Sequence, residues 1–94
     1  MAPRPHHGRV AAAILGILSE RGQMTGPYTV DLPRVLDDLR TDGGVLLSRE
    51  ESVCWAMAII VRTGGLQEGE DAGEIVKMLA TGYDELRARL GVDN

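Results

Sequence analysis

The chain contains no phenylalanine, one tryptophan, two tyrosines and one cysteine, and only one of its ten basic residues is lysine. Each scarcity excludes something. Without Phe, the core has to be assembled from many aliphatic and small side chains, because aromatic rings supply the largest buried areas per residue. Cys54 stands alone, so no intrachain disulfide can form. A secreted domain this small is usually stapled by disulfides, and a reducing, cytoplasmic setting is therefore expected. The apolar neighbours Val53, Trp55, Ala56 and Met57 mark Cys54 as a buried structural thiol whose thiolate is disfavoured. His6 and His7 are the only histidines, adjacent in a proline-containing stretch, so no tetrahedral zinc set is available and no metal or cofactor is expected.

Long apolar runs are missing as well. The two longest, residues 10–18 and 53–61, are far short of the roughly 20 residues that cross a bilayer, and no membrane association is expected. The basic start followed by the apolar run Ala11 to Leu18 imitates a secretory leader. However, Ser19-Glu20-Arg21-Gly22 follows without a small-residue cleavage site, so the segment reads as part of the fold.

What is present describes one small globular domain: 94 residues, 44% hydrophobic, 26% charged, net charge -4. A chain of this length buries only about two-thirds of its unfolded surface, which makes self-association a common route to further burial. Residues 1–8, with Pro3, Pro5 and Gly8, read as a flexible arm, and residues 9–94 as a single helical domain. Val10, Ile14, Ile17 and Leu18 fall at i, i+4, i+7 and i+8, predicting a first helix over about 9–21 that Gly22 ends. Asp31 as N-cap, Pro33 in the first turn and Leu32, Val35, Leu36 and Leu39 at helical spacing predict a second over 32–41. Ser48 and Glu51 form a capping-box pattern opening a third over 49–63, and Asp71 with Glu74 repeats that spacing before a fourth over 72–90. The fold class is thus all-α, a four-helix domain. Tyr28-Thr29-Val30 and Val45-Leu46-Leu47 are either linkers or the strands of a short two-stranded ribbon. Nine consecutive apolar residues, 53–61, cover every face of the third helix, which is therefore expected to lie at the centre of the bundle or in an interface. Gly82, inside the fourth helix, either kinks it or admits a close neighbour.

Catalytic chemistry has little to draw on. General acid-base and nucleophilic mechanisms need a nucleophile or acid with a partner in reach, most often His, and residues 9–94 contain none. Adjacent carboxylates such as Asp37-Asp38 and Glu50-Glu51 point about 100° apart on a helix and do not converge. Glu68, Glu70, Asp71 and Glu74 lack the alternate spacing and central Gly of a helix-loop-helix calcium site. Gly43-Gly44 and Gly64-Gly65 lack the Lys of a phosphate loop and read as helix stops. The chain is expected to be non-enzymatic.

Two binding readings remain. The surplus of apolar face predicts a protein-protein interaction module, a small regulatory or assembly protein that pairs with itself as a homodimer and meets a further protein partner. Its candidate interface residues are Ala12 on the Ala11-Ala12-Ala13 face, Trp55, and the stripe Leu79, Tyr83 and Leu86. The alternative rests on order: helix one, a loop, helix two, a turn, then Leu47-Ser48-Arg49 opening a helix that ends in Gly64-Gly65-Leu66. Over about residues 9–70 this arrangement resembles a winged helix-turn-helix. The resemblance implies a DNA-binding transcriptional regulator whose recognition helix is the one opened by Ser48, with residues 66–74 as the wing and Arg4, Arg9, Arg34, Arg49 and Arg62 as candidate nucleic-acid contacts. Charge departs from that pattern, because the helix offers Arg49, Ser52 and Arg62 around an apolar barrel and the wing carries four acids.

Overall fold

In the computed structural model, which describes residues 5–23, 30–41, 47–64 and 69–91, the chain is all-helical. The order is α1 (Pro5–Glu20), α2 (Leu32–Thr41), α3 (Arg49–Arg62) and α4 (Ala72–Leu90). There is no strand among the described residues, and the tripeptides 28–30 and 45–47 lie mostly outside them. α1 starts earlier than its apolar spacing predicts: residues 5–8, expected in the arm, form its first turn. Pro5 suits that position, since its fixed φ is helical and its missing N–H would be unpaired there anyway.

Local chemistry sets the other ends. Gly22 takes φ 72° and closes α1, with Gly22 N–H donating to Ser19 O at 3.0 Å and Gln23 N–H to Leu18 O at 2.9 Å, the two bonds of a left-handed helix stop. Asp31 caps α2 through Oδ1, which accepts from Arg34 N–H at 3.4 Å. Ser48 Oγ accepts from Glu51 N–H at 3.1 Å and opens α3; Asp71 Oδ1 accepts from Gly73 N–H at 2.9 Å and opens α4. Gly91, at φ 68°, ends α4 as a left-handed cap.

The centre of the bundle is α1, not α3. Val10, Ala11, Ala13, Ile14, Leu15, Ile17 and Leu18 are all essentially inaccessible, and α2, α3 and α4 each pack against this helix. α3 contacts α1 and α4 and turns its remaining side to solvent, so the expectation that it is the central helix is overturned. Side-chain size accounts for the difference. A helix approached from three directions at once needs thin faces, which Ala11, Ala13 and Gly16 supply. α3 carries Trp55, Met57 and Ile59 along its flanks, half-buried against the rim of the core. The remaining core is aliphatic, with Leu39, Ile60, Leu79 and Leu86 fully buried beside Ile14, Leu15, Ile17 and Leu18.

Gly82 is a point of close approach, and α4 runs unbroken through it. A Cβ there would lie 3.0 Å from Ile14 Cγ2 and 3.4 Å from Leu18 Cδ2. Gly16 plays the same part on the opposite side of α1, where a Cβ would meet Val30 Cγ1 at 3.2 Å and Leu32 Cδ1 at 3.3 Å. Tyr83, next to Gly82, is buried and donates its hydroxyl to Leu47 O at 2.7 Å, tying the entry of α3 to the middle of α4. Two residues further along α4 the Glu85 carboxylate receives Arg21 and, at 3.7 Å, Arg89, while Arg89 also holds Glu20 at 2.8 Å.

Two outcomes test this packing. Gly82→Leu is expected to cost about 2 kcal/mol through overpacking against α1, lowering Tm by roughly 10 °C in a domain of this size. Gly8→Ala, where a Cβ meets nothing within 4 Å, is expected to raise Tm by a few degrees through helix propensity alone. Thermal unfolding followed by circular dichroism reads both, and equal effects would refute the close approach. Tyr83→Phe is expected to cost about 1 kcal/mol in urea unfolding, the usual worth of a buried hydrogen bond.

Candidate functional site

Of the residues that the sequence singles out as interface candidates, three belong to the interior of the chain itself. Leu79 and Leu86 are fully buried and Tyr83 nearly so, because the single stripe on α4 faces α1. Their contribution is to folding, and a change such as Tyr83→Asp would unfold the domain rather than split a dimer. Ala12 and Trp55 are half-buried; Trp55 packs against the core from its edge.

The exposed apolar surface lies elsewhere, on the outer side of α3. Its inward face is Ser52, Val53, Ala56 and Ile60. The outward side is built from Cys54, Met57, Ala58 and Val61, at i, i+3, i+4 and i+7, a second amphipathic stripe on the same helix. Cys54 and Ala58 are exposed, Met57 is half-exposed, and Val61 is 58% accessible. Cys54 is thus a solvent-facing residue, which corrects the reading of it as a buried thiol. Across a shallow groove, α4 adds Val76, 40% accessible, and Ala80. Arg49, Glu50 and Lys77 stand at the rim. Arg49 pairs with Asp84 at 2.8 Å and Lys77 with Glu74 at 3.6 Å, so the groove is bordered by ion pairs and floored by apolar atoms. This stripe was legible as spacing in residues 54–61; it is masked there because the inward residues complete an apolar run around the whole helix.

The described arginines of the winged-helix resemblance are spread over three helices. Arg4 lies outside the described residues; Arg9 is half-buried on α1; Arg34 is exposed on α2 and Arg62 at the end of α3. Arg49 is engaged by a carboxylate of the same chain. Ser52, which a recognition helix would turn to a base edge, is fully buried. Among the described residues no three His, Cys, Asp or Glu side chains converge as metal ligands, and no helix is long and apolar enough to cross a membrane. Comparison of the chain with protein-family models, curated proteins and solved structures gave no match.

The Ser52 hydroxyl carries one more consequence. Its Oγ is buried with no hydrogen-bond partner among the described residues, a state that costs about 1–3 kcal/mol for a desolvated polar group. Ser52→Ala removes that group and improves helix propensity. Urea unfolding is expected to show Ser52→Ala more stable by about 1 kcal/mol; a loss of stability would mean that the hydroxyl has a partner in solution.

Proposed function

We propose that this protein is a non-enzymatic protein-protein interaction module, a small regulatory or assembly protein that pairs with a second copy of itself. The observation that carries the reading is the doubled character of α3, which faces the core with one apolar stripe and solvent with another. A surface helix of a monomer ordinarily shows one such stripe, and a contiguous exposed apolar patch with a charged border marks an interaction surface. Size agrees with a small interface rather than a permanent one. Cys54 to Val61 spans only about 10 Å of helix, and an interface of standard size takes about 800 Å² from each partner. That is about a seventh of the chain's 5841 Å² of accessible surface, so Val76 and Ala80 of α4 have to join the contact.

A second copy suits this patch because its border carries both signs, with Glu50 and Glu51 at one end of α3 and Arg62 at the other. A face with opposite charges at opposite ends is complementary to itself under a two-fold axis. Sedimentation equilibrium is expected to give about twice the chain mass of 10.1 kDa. Ala58→Glu, which places a charge in the middle of the stripe, is expected to return the protein to monomer with unchanged helicity. A wild-type monomer at about 100 µM, a concentration that assembles any dimer with Kd below about 10 µM, would overturn the reading. Retardation of bulk DNA at low salt, where even sequence-independent binding is strong, would favour the winged-helix reading in its place.

A further inference from the structure

We infer that the two copies meet through antiparallel α3 helices, crossing near Met57 and Ala58, with Glu51 of each copy against Arg62 of the other. The inference rests on the self-pairing proposed above and specifies its geometry.

Three observations select the orientation. The outward stripe runs from Cys54 to Val61, so its midpoint falls between Met57 and Ala58. Glu51 and Arg62 are eleven positions apart, about three full turns, and so lie on the same edge of the helix near opposite ends of that stripe. Both are exposed, and neither side chain forms an ion pair with any described residue, whereas Arg49, Lys77, Arg21 and Arg89 all do.

A two-fold axis perpendicular to α3 reverses the helix direction and keeps each edge on its own side. With the axis at the stripe midpoint, the partner copy's basic end falls within about 3 Å, along the helix axis, of the level of Glu51. Glu51 to Arg62 contacts then form twice per dimer. A two-fold axis parallel to α3 gives the opposite result, because it superposes the heights of like residues and sets acid level with acid and base with base. The small side chain of Ala58 at the crossing lets the backbones approach to the 8–10 Å of ordinary helix packing.

The two orientations place cysteines differently, which makes them separable. In the antiparallel arrangement Cys54 of one copy is opposite Val61 of the other, and the two Cys54 residues are about 10 Å apart along the helix direction, beyond the Cα separation of about 4.4–6.8 Å that a disulfide spans. Ala58 lies beside its own symmetry mate, within that range. The 94-residue chain is oxidised with copper phenanthroline and run on a non-reducing gel, with the wild type beside the double variant Cys54→Ser/Ala58→Cys. The double variant is expected to convert to a species of twice the mass, and the wild type to remain a single chain. In parallel, Arg62→Glu is expected to weaken the dimer about tenfold by replacing two attractive contacts with repulsive ones, and Glu51→Arg/Arg62→Glu to restore it. A wild type that sediments as a dimer and cross-links through Cys54 overturns the antiparallel arrangement and leaves self-pairing standing. So does a dimer in which the charge reversal is without effect. A wild type that sediments as a monomer overturns the self-pairing itself, and the arrangement with it.

Discussion

The rest of the structure depends on how closely three helices can approach α1. Ile14 and Leu18 receive the backbone of α4 at Gly82, and on the other side Gly16 receives Val30 and Leu32. With no Phe in the chain, the interior is filled by short aliphatic side chains, and these pack to native density only if the backbones carrying them come close. The glycines make that possible at the cost of helix propensity. Once α1 is surrounded, α3 has no third neighbour among the described residues to cover its outer side, and the exposed stripe on Cys54, Met57, Ala58 and Val61 follows from the placement of α1.

Much of this was legible in the sequence, because much of it is decided locally. The cap residues Asp31, Ser48 and Asp71 act on amides two or three residues away, and the glycine stops Gly22 and Gly91 act through their own φ. Such chemistry needs no knowledge of the fold, and the bounds of α2, α3 and α4 agree with their sequence signals to within a residue. The N-terminus of α1 was less visible, since Pro5, His6 and His7 contribute no apolar periodicity.

Which helix is central was not legible, because that is a relative property. Residues 10–18 and 53–61 are equally long apolar runs, and hydrophobicity alone does not rank them. What separates them is bulk: alanines and a glycine line the first, while Trp55, Met57 and Ile59 flank the second. The same confusion misplaced the candidate interface. Leu79, Tyr83 and Leu86 are large and spaced by four and three, which is how a core-facing stripe looks, whereas the outward residues Cys54 and Ala58 are small and cost little to expose. A helix with two apolar faces reads in sequence as one without a polar face, and only the packing of its neighbours tells the two stripes apart.

The seating of Ile14 under Gly82, together with the reach of Glu20 to Arg89, joins α1 to α4. During synthesis α1 emerges before the other three helices, bearing apolar residues on nearly every side, and the helix that completes its enclosure emerges some sixty residues later. At ordinary translation rates of about 5–20 residues per second, that interval lasts seconds, far longer than the microseconds in which helices form. Until its neighbours arrive, α1 has nothing to cover its apolar sides, and a helix of 16 residues is only marginally stable alone in water. The bundle closes only once α4 has emerged, and the most buried helix of the fold is, while the chain is being made, the one most open to wrong partners.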